Sequence, residues 1–139
     1  MKLFRRSGAQ APAYLLLSLL FVGLTACGEV TNMRRNSNLQ DTLMHYELVM
    51  NRSNFVAAAR FRLPSAKWNT QGLDRFQLTH YEVKQTNPAD DGNRLERDVL
   101  LRYIDRYTMR EREQMNREIW IFNSKAGQWQ LDGKPPVFR

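Results

Sequence analysis

The feature that most constrains this chain is its single cysteine, Cys27, which stands just after an apolar run near the amino terminus. That run, Ala13–Leu24, has twelve residues and follows a start that contains Lys2, Arg5 and Arg6 but no acid. A positive start, a short apolar run and small residues are the layout of a secretory signal peptide, whereas a membrane-spanning helix needs roughly 20 apolar residues. A lone cysteine cannot form an internal disulfide, so the rest of the chain has to be stabilised by a packed core.

The tetrapeptide Leu24-Thr25-Ala26-Cys27 resembles a bacterial lipobox. The resemblance implies cleavage between Ala26 and Cys27 after a signal peptide of residues 1–26, and palmitate-type acyl chains on Cys27 that hold the protein in a lipid bilayer. Three acyl chains anchor a protein almost permanently, whereas one chain does so only marginally. Gly28 stands where an aspartate would signal retention in the inner membrane, which implies an outer-membrane lipoprotein facing the periplasm. A signal peptide cut elsewhere, with Cys27 as an ordinary thiol, is the alternative.

After cleavage the chain would hold 113 residues, which suits one domain. The leader contains three of the 21 Lys and Arg residues and none of the 14 acids, so the net charge falls from +7 to +4. We expect a lipidated cysteine and flexible tether over 27–37, followed by a single α+β domain over 38–139. A cysteine committed to lipid excludes a cysteine-based zinc site and a catalytic cysteine. The sequence predicts no cofactor and no nucleic-acid partner.

The first part of the predicted domain has helical periodicity. Ser37 or Asn38 can cap a helix that runs to about Met50, because its apolar residues recur at spacings of three and four; these are Leu39, Leu43, Tyr46 and Met50. A second helix is predicted over 55–63, because its apolar residues share one face and Pro64 would stop it.

Strand patterns dominate the rest of the chain. A strand over 73–85 changes the phase of its apolar residues near His80, which predicts a bulge. Residues 95–122 favour two long antiparallel strands with a tight turn near Arg110, because apolar residues alternate there; a long helix within 94–119 is the alternative, since some apolar residues also step by four. A final strand over 127–132 is predicted to lie at the sheet edge, because the prolines after it cannot extend a ladder.

This order of elements resembles the cystatin-like cone of the nuclear-transport-factor-2-like and polyketide-cyclase-like superfamily. The resemblance covers residues 38–138 and rests on the helix–break–helix segment MNRSNFVAAARF and the closing segment GQWQLDG. It implies two helices packed on a bent antiparallel sheet of about four strands. Enzymes of that group place an acid or base beside a tyrosine in the mouth of the cone. The candidates of these types are His45, Tyr46, His80, Tyr81, Tyr103, Asp105 and Tyr107.

Each candidate also has a plain structural interpretation. Histidines such as His80 are more often surface groups, Asp105 would be one member of an ion pair, and tyrosines would be core or rim aromatics. Arginines are frequent over 94–117 and suit carboxylate or phosphate ligands, yet acids alternate with them, which favours cross-strand ion pairs.

Three functions remain open from the sequence alone. The first is a non-catalytic binding or assembly module of the bacterial envelope that docks on another envelope protein or holds an apolar ligand. The second is a small isomerase-like or cyclase-like enzyme that uses Asp105 or His80 as the base and a tyrosine as the donor. The third is attachment to an acidic envelope polymer through the arginine-rich face.

Overall fold

The structure, a computed structural model, describes residues 26–139, with side chains from residue 32 onward. The predicted signal peptide up to Thr25 and the side chain of the predicted lipidation site Cys27 lie outside the described part. Residues Asn38–Arg139 form one compact unit. No helix among residues 26–139 is long and apolar enough to cross a membrane.

The first helix, α1, runs from Ala26 to Asn51. The predicted apolar stripe is its buried side, because Leu43, Tyr46 and Met50 are buried and Leu39 is partly buried against the same core. The sequence predicted a start at Ser37 or Asn38, after a segment without regular structure; residues 28–37 are helical instead. No glycine or proline lies between residues 29 and 51, so nothing there opposes a helix strongly enough to end it.

A short helix, α2, spans Phe55–Ala59, where Asn54 caps it by accepting a hydrogen bond from the Ala57 N–H at 3.1 Å. The sequence predicted a helix up to Leu63, which is too long. Residues after Ala59 instead pair with the last strand: Leu63 donates to the Leu131 carbonyl, and Leu131 donates to the Phe61 carbonyl. These backbone bonds to a distant segment outweigh the modest helix preference of the local sequence.

The sheet has four antiparallel strands in the order β1-β2-β3-β4, namely β1 Phe76–Pro88, β2 Arg94–Asp105, β3 Arg110–Asn123 and β4 Gln128–Leu131. The prediction of two long strands over 95–122 is confirmed and the alternative of a long helix there is wrong. The predicted bulge is present as a register shift between Leu78 and His80, and a second shift lies between Val83 and Gln85. As predicted, the last strand lies at the sheet edge.

The core lies on one face of the sheet, called the inner face here, together with the buried side of α1. On β2 every second residue is buried from Leu95 to Asp105. Helix, sheet and carboxyl-terminal residues form one apolar cluster that includes Tyr46, Trp120 and Phe138. The Tyr46 ring meets the Trp120 ring edge-on at 5.1 Å between centroids. The α+β class with a four-stranded antiparallel sheet is thereby confirmed.

Candidate functional site

The structure brings only some of the predicted acid–base residues together: Asp105 accepts a hydrogen bond from the Tyr107 backbone N–H, and the Tyr46 and Tyr81 rings meet edge-on at 6.4 Å between centroids. Tyr103 and Asp105 lie on the inner face of β2 and are buried, as their two-residue spacing predicted. Tyr107 lies beyond the end of β2 and is 77% exposed. His80 is on β1 and exposed, with its Nε2 3.3 Å from a Glu82 oxygen, and His45 is on the exposed side of α1.

Asp105 has a structural role at the turn between β2 and β3. Its carboxylate accepts a hydrogen bond from the Arg75 guanidinium and another from the Tyr107 backbone N–H at 3.0 Å. The bond from Arg75 is the largest cause that lowers the pKa of Asp105, from 3.8 to about 2. A carboxyl with so low a pKa is a weak base at neutral pH, so this site fits the ion-pair interpretation better than the catalytic one.

A buried polar cluster that the sequence interpretation missed lies between α1 and the inner face. Arg97 of β2 stands directly opposite Glu118 of β3, and both side chains are almost fully buried. One Glu118 oxygen accepts from the Tyr81 hydroxyl at 2.5 Å, and the other accepts from the Trp120 indole N–H at 3.1 Å. Arg97 also donates to Glu47 of α1 at 2.5 Å. The cluster therefore ties the helix to three strands.

The burial of this cluster changes its acid–base properties. Desolvation raises the pKa of the Glu118 carboxyl, although its hydrogen bond from Tyr81 and the charge of Arg97 oppose the rise. Burial, followed by the charge of Glu118, also raises the pKa of Tyr81. Because both Glu118 oxygens already accept hydrogen bonds, the carboxyl is positioned to join structural elements.

The signal for this cluster was present in the sequence. Arg97 stands two residues from Leu95 and two from Val99, so the period of a strand places it on the apolar side. Glu118 stands two residues before Trp120, so the strand period places it on the apolar side as well. The alternation of Arg and Glu predicted cross-strand ion pairs, but the position of each charge relative to the apolar residues decides which of these pairs is buried.

The opposite, outer face of the sheet carries the predicted cross-strand ion pairs. Arg102 of β2 faces Glu113 of β3, with 3.2 Å between nitrogen and oxygen, and Asp98 faces Arg117 at 2.8 Å. Arg94 pairs with Glu96 along the same strand. These carboxylates neutralise much of the arginine-rich segment, so the face offers little uniform positive charge to an acidic polymer.

An open groove of about 700 Å³ lies where β3 passes the carboxyl-terminal tail. Its lining includes Tyr103 of β2, the first half of β3, and Arg139 of the tail, whose backbone N–H lies 3.5 Å from the Tyr103 hydroxyl. The β3 residues of this lining are Arg112, Glu113, Gln114, Met115 and Asn116. This polar, open lining suits a bound segment of another molecule more than a small apolar ligand.

No metal site is formed within the described part of the chain, where no three His, Cys, Asp or Glu side chains converge. No family model matches the chain, and comparison with curated proteins and with solved structures finds no match. The functional interpretation therefore rests on the residues themselves.

Proposed function

We propose that this chain is a lipid-anchored protein of the bacterial outer membrane whose periplasm-facing domain is a non-catalytic binding or assembly module. The anchor is supported by the leader, the Leu-Thr-Ala-Cys pattern and Gly28. The observation that carries the non-catalytic assignment is that the Asp105 carboxylate is held by Arg75 and by the Tyr107 backbone N–H, while the Tyr107 side chain and His80 are exposed.

We assign the domain a cystatin-like cone as its finer architecture. β1 contains two register shifts, and the helix residues Leu43, Tyr46 and Met50 share one core with the inner face of the long strands. Register shifts of this kind increase local twist and curl a sheet around the elements packed on it.

The anchor is tested by mass spectrometry of the mature amino terminus together with membrane fractionation. We expect a triacylated Cys27 as the first residue and sedimentation with the outer membrane. Cys27→Ser should release the chain from this fraction, whereas Gly28→Asp should keep the lipid but move the chain to the inner membrane. An unmodified thiol at Cys27 would contradict the anchor.

The binding role is tested by site-specific photocrosslinking in cells that make the lipidated chain. A crosslinker is placed at exposed positions of the domain in turn, including Met115 of β3 and Met44 of α1. We expect one face to give a discrete adduct and the others none. Equal diffuse labelling from every position would argue against a specific partner.

A second candidate is a small isomerase-like or cyclase-like enzyme, and the observation in its favour is the buried pair of Glu118 and Tyr81 with Arg97 beside it. A carboxyl of raised pKa next to a tyrosine is a recognised acid–base arrangement. A fragment screen by NMR tests it: binders that shift the Trp120 indole signal and are lost in Tyr81→Phe would favour the enzyme. Binders that leave that signal unmoved would exclude it.

A further inference from the structure

The first half of β3 has one side without a strand partner. β3 pairs with β2 along its whole length, from Arg110 to Ile121, but β4 pairs with it only over Trp120–Asn123. Beyond β4, Asp132 still donates to the Ile119 carbonyl, and Gly133 lies against the Arg117 carbonyl. Among residues 26–139, no strand continues this pairing along Arg110–Asn116. We call this stretch the open edge.

The backbone groups that point outward from the open edge follow from the strand period. The Phe122 N–H points toward the β2 side, where it donates to Asn93, whereas the Ile119 carbonyl points toward the β4 side. The register between β2 and β3 is unbroken, so this alternation continues along the strand. The N–H and C=O groups of Glu111, Glu113 and Met115 therefore face the open edge.

The other free edge of the sheet, on β1, is protected against pairing, and β3 lacks the same devices. β1 contains two register shifts and an exposed Lys84, and its Leu78 N–H donates to the Ser53 hydroxyl at 2.7 Å. Bulges and lysines are common protections of edge strands. β3 is regular and has no proline, so its open edge keeps the geometry of a paired strand.

The groove beside the open edge determines which added strand would fit. Arg112, Gln114 and Asn116 line the groove together with their neighbours Glu113 and Met115. The strand period places β3 side chains of even number on one face of the sheet, so Arg110 shares the face of Arg112. An added strand places alternate side chains on this same side. Acidic side chains at those alternate positions would meet the two arginines, because oppositely charged cross-strand neighbours attract.

A second copy of the chain is a poor occupant of the open edge. A symmetric antiparallel pair centred on Glu113 would oppose two Glu113 side chains, and one centred on Arg112 would oppose two Arg112 side chains. Pairing centred further along the strand soon meets Gly133, which already lies against Arg117. The alternating charges thus disfavour self-association and leave a complementary segment as the better fit.

We propose that the open edge of β3 receives an extended segment of another envelope protein as an added strand, with acidic side chains at alternate positions facing Arg110 and Arg112. This inference rests on the proposed binding function and specifies its surface and the chemistry of its partner. The outward backbone groups of Glu111, Glu113 and Met115 supply the pairing, and the groove supplies the selectivity.

The test uses the lipidated full chain in detergent and a displayed library of random peptides of about nine residues, long enough to cover the open edge. We expect enriched peptides with acids at every second position. Glu113→Pro removes an outward N–H but no bond to β2, so we expect peptide binding to weaken about tenfold or more. Glu113→Ala loses the same side chain but keeps the N–H, so it should bind peptide more tightly than Glu113→Pro by that same factor. Arg112→Glu should reverse the preference toward basic peptides.

Hydrogen exchange of the unsubstituted chain keeps the test valid if Glu113→Pro does not fold. Bound peptide should slow exchange at the N–H groups of Glu113 and Met115, and leave Gln114, which already pairs with β2, unchanged. Absence of alternating acids among the selected peptides, or absence of protection at Met115, would overturn the proposal. A dimer of the free chain that Glu113→Pro dissociates would also overturn it in favour of a second copy.

The added strand at the open edge can be disproved without disproving the binding module. A discrete crosslink through Met44 with no protection of β3 would keep the binding module and remove only the added strand. Diffuse labelling at every position, with no selected peptide, would remove both.

Discussion

At the scale of single residues, position within a strand decides whether an Arg–Glu pair is buried in the core or exposed at the surface. Glu113 and Glu118 both lie on β3 opposite an arginine of β2. An odd number of positions separates them, so their side chains lie on opposite faces of the sheet. The Glu118 side chain is 1% exposed and that of Glu113 is 62% exposed. Removing one member of a buried pair leaves an uncompensated charge, whereas an exposed pair contributes little.

The first prediction compares these two glutamates. Glu118→Ala should lower the free energy of unfolding by about 3–5 kcal/mol, because buried Arg97 keeps only Glu47 as a partner and the Tyr81 hydroxyl and Trp120 indole N–H lose their acceptor. Glu113→Ala should lower it by less than about 1 kcal/mol. Urea denaturation followed by tryptophan fluorescence measures both. Similar losses in the two variants would contradict the buried ion cluster.

The second prediction concerns the pH dependence of stability at Asp105. Its pKa is lower in the folded state than the ordinary 3.8, so its ionised form stabilises the fold above about pH 4, and this contribution disappears as the pH falls through about 2. Wild type should exceed Asp105→Asn in stability at pH 7, and the difference should shrink between pH 4 and about 2. Thermal unfolding at each pH measures it.

Asp90→Asn, in the exposed loop between β1 and β2, is the control for removing one negative charge. A difference between wild type and Asp105→Asn that stayed constant down to pH 2 would disprove the role of the ion pair with Arg75. The pH dependence of stability at Glu118 has the opposite sign. The pKa of Glu118 is raised above its ordinary 4.5 in the folded state, so its protonated form stabilises the fold at low pH, and this contribution is lost as the pH rises through the folded-state pKa.

At the scale of elements, the turn between β2 and β3 is closed by an unusual residue. Met109 has φ +54° and its N–H donates to the Asp105 carbonyl at 2.7 Å. This left-handed conformation favours glycine, because a Cβ atom there costs roughly 1–2 kcal/mol. The Met109 side chain is 74% exposed, so packing does not offset this cost.

The third prediction follows from that strain. Met109→Gly should raise the free energy of unfolding by up to about 1 kcal/mol, since part of the relief is offset by the greater freedom of glycine in the unfolded chain. Met115→Gly, also at an exposed methionine but inside a strand, should instead destabilise. Chemical denaturation of both variants distinguishes the effects. A destabilised Met109→Gly would show that the side chain makes a contribution that outweighs the strain.

At the scale of the whole molecule, packing is the source of stability. The aromatic residues of α1, α2, the sheet and the tail contact one another, and Phe138 lies within 6 Å of three aromatic rings between centroids. The stability of an apolar core that contains an ionic cluster is sensitive to substitution, because each buried charge is stabilised only by its partners.

The fourth prediction is that a reducing agent will not change the thermal midpoint of the chain, because its only cysteine cannot form an internal disulfide. Differential scanning calorimetry with and without reductant checks this, with light scattering to confirm that the oligomeric state is the same. A lower midpoint in reductant at constant oligomeric state would contradict it.

Local pattern was enough for much of the architecture. The stripe of Tyr46 and Met50, the bulge near His80 and the alternation on β2 all follow from the periods of helices and strands, which depend only on backbone geometry. The end of α2 did not follow, because the bonds of Leu63 and Phe61 to Leu131 join segments far apart in sequence.

The candidate site divides in the same way. The sequence by itself determined that Tyr103 and Asp105 share a face and that the lone cysteine leaves stability to packing, because spacing and composition are properties of the chain. Only the tertiary structure decided that Asp105 pairs with Arg75, that Glu118 is buried beside Arg97 and Tyr81, and that β4 leaves half of β3 without a strand partner. Those facts depend on which distant segments meet, and the free energy of each charge depends on the surroundings that this meeting creates.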